Sequence, residues 1–324
     1  MADYIKYDNN SEKSKNDIKT KTNKIKIIGL NSKNFKNKKK GFSIKKVLIT
    51  FLILLFITSF IQGIIFNITP KIKVIPIKGV IGIEESYSIY GETISSRDIS
   101  EEIYNAADDN SVKAILLDIN SGGGSPVASD EISKSIEYAK KRKKVIALIN
   151  DIGASGAYWI ASTCNRIYVS PTSIVGSIGV TSASFGLENF IKEHNISYRR
   201  LVAGKYKDIG SPFREMEEDE KKILQEMLNE IHYKFIEHVA KNRNLTINYT
   251  KQFSEGQIYT GEKAIEIGLA DEVGYYKDVI KKLKNETKSK LVVTYYPKYS
   301  TIEKLLSIFR DFKINLFNNN LIMT

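Results

Sequence analysis

Hydrophobic and polar positions fall along this chain in blocks that read as strand, helix, strand, helix. Ile72–Ile83 (IKVIPIKGVIGI) is β-branched and strand-like, and Ser96–Ala107 (SRDISEEIYNAA) suggests a helix. Lys113–Ile119 (KAILLDI) has the apolar run of a buried strand. Asn120–Ser125 (NSGGGS) follows it, and then a helix over Val127–Lys141 with small and acidic residues at its start. Next come a β-like run at Lys144–Ile149 (KVIALI), an apolar helix opened by Ser155, a short strand at Arg166–Val169 and a glycine-rich turn, Gly176–Gly179. Strands alternating with helices of this length predict α/β units with parallel pairing. Ligand sites in such folds gather where strands end and glycine loops begin.

Two longer stretches stand apart. Glu215–Arg243 sets Ile223, Leu224, Met227, Leu228, Ile231, Phe235 and Val239 at near-helical spacing, and core packing is the default expectation for that stripe. Its acids cluster at the start and Lys241 and Arg243 at the end, matching the helix dipole. Thr301–Phe317 is a second amphipathic stretch, suited to the body of the protein, to a neighbour or to a membrane surface.

Val47–Pro70 is an uncharged run of 24 residues dominated by Ile, Leu and Phe. As a helix it reaches about 36 Å, enough to cross a hydrocarbon core of roughly 30 Å. Met1–Lys46 carries 14 lysines and 4 acids, a net +10 out of a formal +12 for the whole chain. The basicity is therefore local to the N-terminal tail, a low-apolar mixture of Lys, Asn and Ser that predicts disorder. Nucleic-acid binding would want the charge spread over a folded face, so no nucleic-acid partner is expected. The positive-inside rule puts the tail in the cytoplasm and Ile72 onward on the far side. A cleaved signal peptide usually has a short charged region, so an uncleaved anchor in membrane lipid is expected.

Candidate chemistry centres on Ser155 in NDIGASGAYWIAS. Gly153, Ala154, Gly156 and Ala157 flank it, so another chain can approach the hydroxyl closely. The order strand, tight turn, serine, helix also places unpaired N–H groups and a positive dipole beside it. That context resembles the elbow on which acyl-transfer enzymes mount a nucleophile, although a helix packed through small residues serves the same residues. The GGG loop after the Lys113–Ile119 strand permits positive φ and close approach of main-chain N–H groups. It contains neither GxGxxG nor GxxxxGK[ST]. One cysteine, Cys164, excludes an intrachain disulfide and fits a small buried thiol. The histidines are His194, His232 and His238, with no HExxH or CxxC, so no metal or other cofactor is expected. None of the three is placed as a conventional base. Val202–Glu215 (VAGKYKDIGSPFRE) offers Lys205 and Lys207 instead; if extended, both lysines share one face and spacing does not choose between them.

GGG after a strand, GASGAYW, GSIGV, GKYKDIGSPFREM and YTGEKAIEIGLADEVG, in this order and spacing, resemble signal peptide peptidase A. These are membrane-anchored serine proteases related in fold to Clp protease and crotonases. The resemblance covers roughly Lys71–Asp278 and implies an α/β fold of repeated ββα units behind an N-terminal transmembrane helix. Residues 1–46 are then a cytoplasmic tail and 47–70 the anchor. Residues 71–290 form an extracytoplasmic peptidase domain, and 291–324 a C-terminal strand and amphipathic segment. By the resemblance, Ser155 matches the nucleophile, Lys207 the general base and Ser177 the serine that orients that lysine. Gly124 matches an oxyanion N–H donor, with Gly156 as the second. The chain departs from the family where Gly122 replaces a common proline and where SGAYW, with Ala157 and Trp159, replaces SGGYY. Neither change removes a reacting group.

A lysine base is demanding. Its ordinary pKa is about 10.4, so work near neutrality needs a depression of roughly 3 units, which burial without a carboxylate partner supplies. The mechanism expected is that neutral Lys207 takes the Ser155 proton, Ser155 attacks a peptide carbonyl, and Gly124 and Gly156 hold the oxyanion. The resemblance also implies ring-shaped homo-oligomers whose sites draw on neighbouring subunits, and as substrates remnant signal peptides and other hydrophobic or unfolded peptides. A crotonase-like acyl-CoA enzyme or an inactive membrane scaffold would be the alternatives; the first would not require Lys207.

Overall fold

The computed structural model describes residues 44–84, 86–88 and 91–295, so most of the basic tail and the whole of the 301–317 stretch lie outside it. The chain divides into two compact units, Met1–Phe56 and Ile57–Thr324. The apolar run forms α1 (Ile44–Ile68), of which Lys45–Ile68, 24 residues, is long and apolar enough to cross a membrane. It stops just short of Pro70, which disfavours helical backbone in the residue before it.

After α1 come β1 (Lys71–Gly82), β2 (Ser86–Ser88), β3 (Gly91–Ser95), α2 (Ser96–Asp108), β4 (Val112–Gly124) and α3 (Pro126–Lys140). They are followed by β5 (Lys144–Ala154), α4 (Gly156–Thr163), β6 (Arg166–Val169), β7 (Ile174–Gly176) and α5 (Glu188–Glu193). The remainder is α6 (Glu218–Arg243), α7 (Ile247–Lys251), β8 (Ile258–Thr260), α8 (Gly261–Glu266), β9 (Glu272–Val273), α9 (Tyr276–Thr287) and β10 (Leu291–Thr294).

The strands build one sheet in the order β2-β3-β1-β4-β5-β6-β9, with β10 also on β1, β7 on β5 and β8 on β7. Every pairing is parallel except β2–β3 and β7–β8. The expected α/β class with parallel pairing is what the chain adopts. A parallel sheet must be covered on both faces, and the period-2 alternation of β1, β4 and β5 supplies two apolar faces. Ile75, Ile77, Ile115, Leu117, Val145, Ala147 and Ile149 point to one side, into a core completed by α2, α3 and α4. Ile72, Val74, Ala114, Leu116, Ile146 and Leu148 point to the other, under Val279 and Leu283 of α9.

Caps set the helix starts where strands end. Ser95 accepts from the Asp98 N–H at 3.2 Å at the head of α2, and Ser125, followed by Pro126, accepts from Ala128 N–H at 3.4 Å at the head of α3. Tyr158 is buried in α4 and donates its hydroxyl to Leu269 O at 2.8 Å. Cys164 ends α4 as a buried thiol whose pKa burial pushes up to about 12, an inert packing group.

The apolar stripe of α6 is not a single core face. Only its second half docks: Phe235, Ile236, Val239 and Ala240 are buried, whereas Ile223 and Met227 are 39% and 46% exposed. The docked half rests on α4, where the Trp159 ring lies 5.0 Å from Phe235 and stacks on His238 at 4.2 Å. Burial there pushes the His238 imidazole down to about 4, so it is a neutral packing group.

Candidate active site

Register brings three loops to one point at the carboxyl ends of the sheet. Ser121 on β4 pairs with Gly153 on β5, and Ala154 on β5 pairs with Gly176 on β7. The residues just beyond those pairs are Gly123 and Gly124, Ser155 and Gly156, and Ser177. These are the positions at which a parallel sheet exposes main-chain groups to a ligand.

Ser155 is the turn itself. It sits at φ 53 and ψ −125 as the N-cap of α4, a region that a residue with a Cβ rarely enters. Its N–H donates to Gly176 O at 2.8 Å, and its carbonyl accepts from Trp159 N–H at 3.0 Å. Its side chain makes no capping bond, so the hydroxyl is not occupied by the helix it opens. Ser177 has the same left-handed φ, 51, and is held by its N–H to Gln257 O at 2.7 Å.

Two glycines are required by contact as well as by φ. At Gly123, φ is +105, and a Cβ would meet Gly156 N at 2.7 Å and Ser155 Cβ at 2.8 Å. At Gly156 a Cβ would collide with the Ser129 hydroxyl and come within 3.2 Å of Gly124 N. The Gly124 and Gly156 main chains therefore lie side by side beneath Ser155. Gly156 is also the first residue of α4, whose leading N–H groups have no intrahelical partner. Gly123→Ala is expected to destabilise the fold by about 1–3 kcal/mol and to misplace the elbow. A thermal melt combined with a turnover assay checks both effects.

A cavity of about 590 Å³ opens over this point. Ser155, Gly156, Gly124 and Ser177 all line it. So do Ser129, Trp159 and, from α6, Leu228, Ile231, His232 and Phe235. The α6 wall and Ser129 were not legible as site residues. Ser129 is a buried helix serine donating to Ser125 O at 2.9 Å, and the α6 residues carry only a core-like period. His232 faces the cavity, but its Nε2 lies 2.5 Å from Ser254 O, so that nitrogen carries a proton and is not free to act as a base. Trp159 Nε1, on the same lining, is buried without a hydrogen-bond partner among the described residues.

Lys207 is elsewhere. The expectation of a water-starved lysine is not met within the single chain, and the segment is not extended. Residues 202–215 coil into successive turns, with Lys207 N–H on Gly204 O at 3.2 Å, Ile209 N–H on Tyr206 O at 3.2 Å and Ser211 N–H on Asp208 O at 3.0 Å. Lys207 is exposed, pairs with no described residue and is not part of the cavity lining. The physical reason is local. Lys205 forms an ion pair with Asp219, and the Tyr206 hydroxyl donates to the same carboxylate at 2.9 Å. Asp208 is gripped by Arg200 and Arg214. With both sides of Lys207 tied to the start of α6, the lysine is left pointing to solvent.

Residues 137–290 match the profile of Peptidase family S49. A protein of Methanocaldococcus jannaschii, whose description as a protease is itself inferred, is 41% identical over 175 residues, covering 54% of this chain and 56% of that protein. A protein of Enterococcus faecium, likewise described by inference as the signal peptide peptidase SppA, is 30% identical over 220 residues, covering 67% and 64%. Protease 4 of Haemophilus influenzae is 32% identical over 220 residues, covering 67% of this chain and 35% of the relative. The chain thus spans less than two thirds of the length of each of these relatives. Ser155, Ser177 and Lys207 all fall within the residues that match the family profile, whereas the Gly123–Gly124 loop precedes them. Residues 137–290 thus match peptidase family S49, and the chain is similar to signal peptide peptidase A.

Proposed function

We propose that this chain is a membrane-anchored serine endopeptidase in which Ser155 is the nucleophile, Lys207 the general base, and the Gly124 and Gly156 N–H groups the oxyanion donors. The observation that carries the reading is the strained Ser155 backbone, φ 53, at the head of α4, with its side chain unengaged and facing a 590 Å³ cavity. Strain of this kind is kept where the surrounding structure enforces it, and here it projects a hydroxyl away from the sheet.

The separation of Lys207 from that cavity favours a dyad completed between copies, with Lys207 of one chain entering the cavity of the next. The stretch before Lys207 supports assembly, since Phe185 is 86% and Leu201 97% exposed. Burial in such a contact would remove water from the ammonium group and favour its neutral form. Lys207 then takes the Ser155 proton, with Ser177 orienting the amine. Ser155 Oγ attacks the scissile carbonyl, and the two N–H groups receive the negative oxygen. The lysine returns the proton to the leaving amine and activates water to release the acyl group.

Trp159, Leu228, Ile231 and Phe235 give the cavity an apolar wall, which suits hydrophobic peptide substrates such as remnant signal peptides. The lysine-rich tail favours a cytoplasmic N-terminus and an extracytoplasmic catalytic domain. The match of residues 137–290 to the peptidase family profile favours this reading over the acyl-CoA alternative. The test is proteolysis in liposomes containing the full chain and a synthetic signal peptide. Internal cleavage within the apolar stretch is expected, and an intact signal peptide beside efficient cleavage of soluble unfolded peptides would remove the substrate assignment.

A further inference from the structure

The residues on either side of Lys207 are tied to the first turn of α6 by separate carboxylates, and Lys207 is not. On one side Asp219 takes both Lys205 and Tyr206. On the other, Arg214 bridges two acids at once. Its Nε and Nη2 donate to the Asp208 carboxylate at 3.0 Å each, and its Nη1 and Nη2 donate to Glu220 at 2.8 and 2.6 Å. Arg200 closes the outside of Asp208 with bonds of 2.6 and 2.5 Å and also reaches Lys205 O at 3.1 Å. Glu220 is buried, and it accepts from Glu217 N–H at 3.0 Å in the capping box that starts α6. Arg214 also donates to the Asp208 carbonyl at 3.2 Å, so the main chain next to Lys207 is held along with the side chain.

We propose that Arg214, Asp208 and Glu220, with Arg200, form a charge-balanced clamp that presents Lys207 to the Ser155 elbow and holds the charge of Asp208 away from its amine. The inference rests on the reading of Lys207 as the base. These four are positioning residues, since none of them reaches the reacting atoms. Bidentate guanidinium–carboxylate pairing is directional, so the clamp fixes geometry as well as charge.

The electrostatic part follows from proximity. Asp208 is the next residue after Lys207, with Cα atoms about 3.8 Å apart, and a bare carboxylate there would stabilise the ammonium form. Paired with Arg214 and Arg200, Asp208 is held well below the usual carboxylate range and its negative charge is matched. Two guanidiniums and two carboxylates leave the clamp neutral. The other charged groups near the segment include Lys205 with Asp219, Glu218 with Lys221, Glu215 and Glu217 ahead of α6, and Arg199 beside Arg200. In the cavity that the lysine would enter, the titratable groups are His232 and Glu255.

Opposite changes to the clamp should therefore move the pH–rate profile in opposite directions. Arg214→Ala leaves an excess negative charge, so the rising limb of kcat against pH moves to higher pH, by on the order of half a unit. Asp208→Asn leaves an excess positive charge, so the limb moves to lower pH. In both variants kcat falls by about tenfold or more with KM little changed, since the substrate cavity is untouched. Arg214→Lys restores the charge without the fork: it should recover the position of the limb but only part of kcat. The full chain in detergent micelles or liposomes is assayed, with circular dichroism to confirm folding and Lys207→Ala alongside. Limbs that stay in place, or move together, in folded Arg214→Ala and Asp208→Asn overturn the clamp while leaving the base assignment standing if Lys207→Ala is inactive. An active Lys207→Ala overturns the base assignment itself, and the clamp with it.

Discussion

Ser155→Ala is expected to lower kcat by about 10⁴-fold or more and to abolish labelling by a serine-reactive phosphonate, with little change in the melting temperature. The size follows from the role: a covalent nucleophile has no substitute, whereas an orienting or lining group costs far less when removed. The unchanged stability follows from the geometry. Alanine keeps the Cβ, so the strain at φ 53 is the same, and the serine hydroxyl makes no capping bond to lose. Phosphonate labelling separates the readings because it reports attack by the hydroxyl without a need for the natural substrate. Labelling that survives in the alanine variant would place the nucleophile elsewhere. Ser177 and Ser129 line the same cavity and would be the residues to examine next.

Co-assembly of Ser155→Ala chains with Lys207→Ala chains is expected to restore activity that neither has alone. If each site takes its serine from one copy and its lysine from the next, a random equimolar ring has about a quarter of its sites intact. If the dyad forms within one chain, every copy lacks one member and the mixture stays inactive. The expectation comes from Lys207 being exposed and outside the cavity lining while its neighbours are held to α6. An inactive mixture of folded, co-assembled chains would falsify the shared site. A turnover assay on rings formed by co-expression, with both variants distinguishable by tag, makes the comparison.

Much of the architecture is legible from local pattern. The apolar run before Pro70, the period-2 alternation of β1, β4 and β5, and the glycines after β4 and around Ser155 each act over a few residues, so periodicity and residue type suffice. The candidate site is legible in part. Ser155, Gly156, Gly124 and Ser177 sit at strand ends, where a parallel sheet collects functional groups, and the register of β5 with β4 and β7 brings them together. The α6 wall was not legible, because an apolar period looks the same whether it faces a core or a cavity. Ile223 and Met227 carry the same pattern as Phe235 and Val239 yet remain exposed. Spacing leaves the conformation of residues 202–215 open, and the turn bonds and the ion pairs to Asp219 and Glu220 decide it against an extended segment.

The amino-acid sequence alone determined that a basic tail precedes a membrane-length apolar helix, that an α/β body follows, and that a serine opens a helix between glycines. These depend on hydrophobic period, charge and backbone freedom, which are properties of short stretches. Only the tertiary structure decided that Ser155 and Ser177 meet through the pairing of β5 with β7, that α6 turns Leu228, Ile231 and Phe235 to a cavity, and that Lys207 is held outward through carboxylates up to 13 residues away. Such outcomes are set by strand register and by which of several competing partners each charge finds, and those are resolved when distant segments pack together.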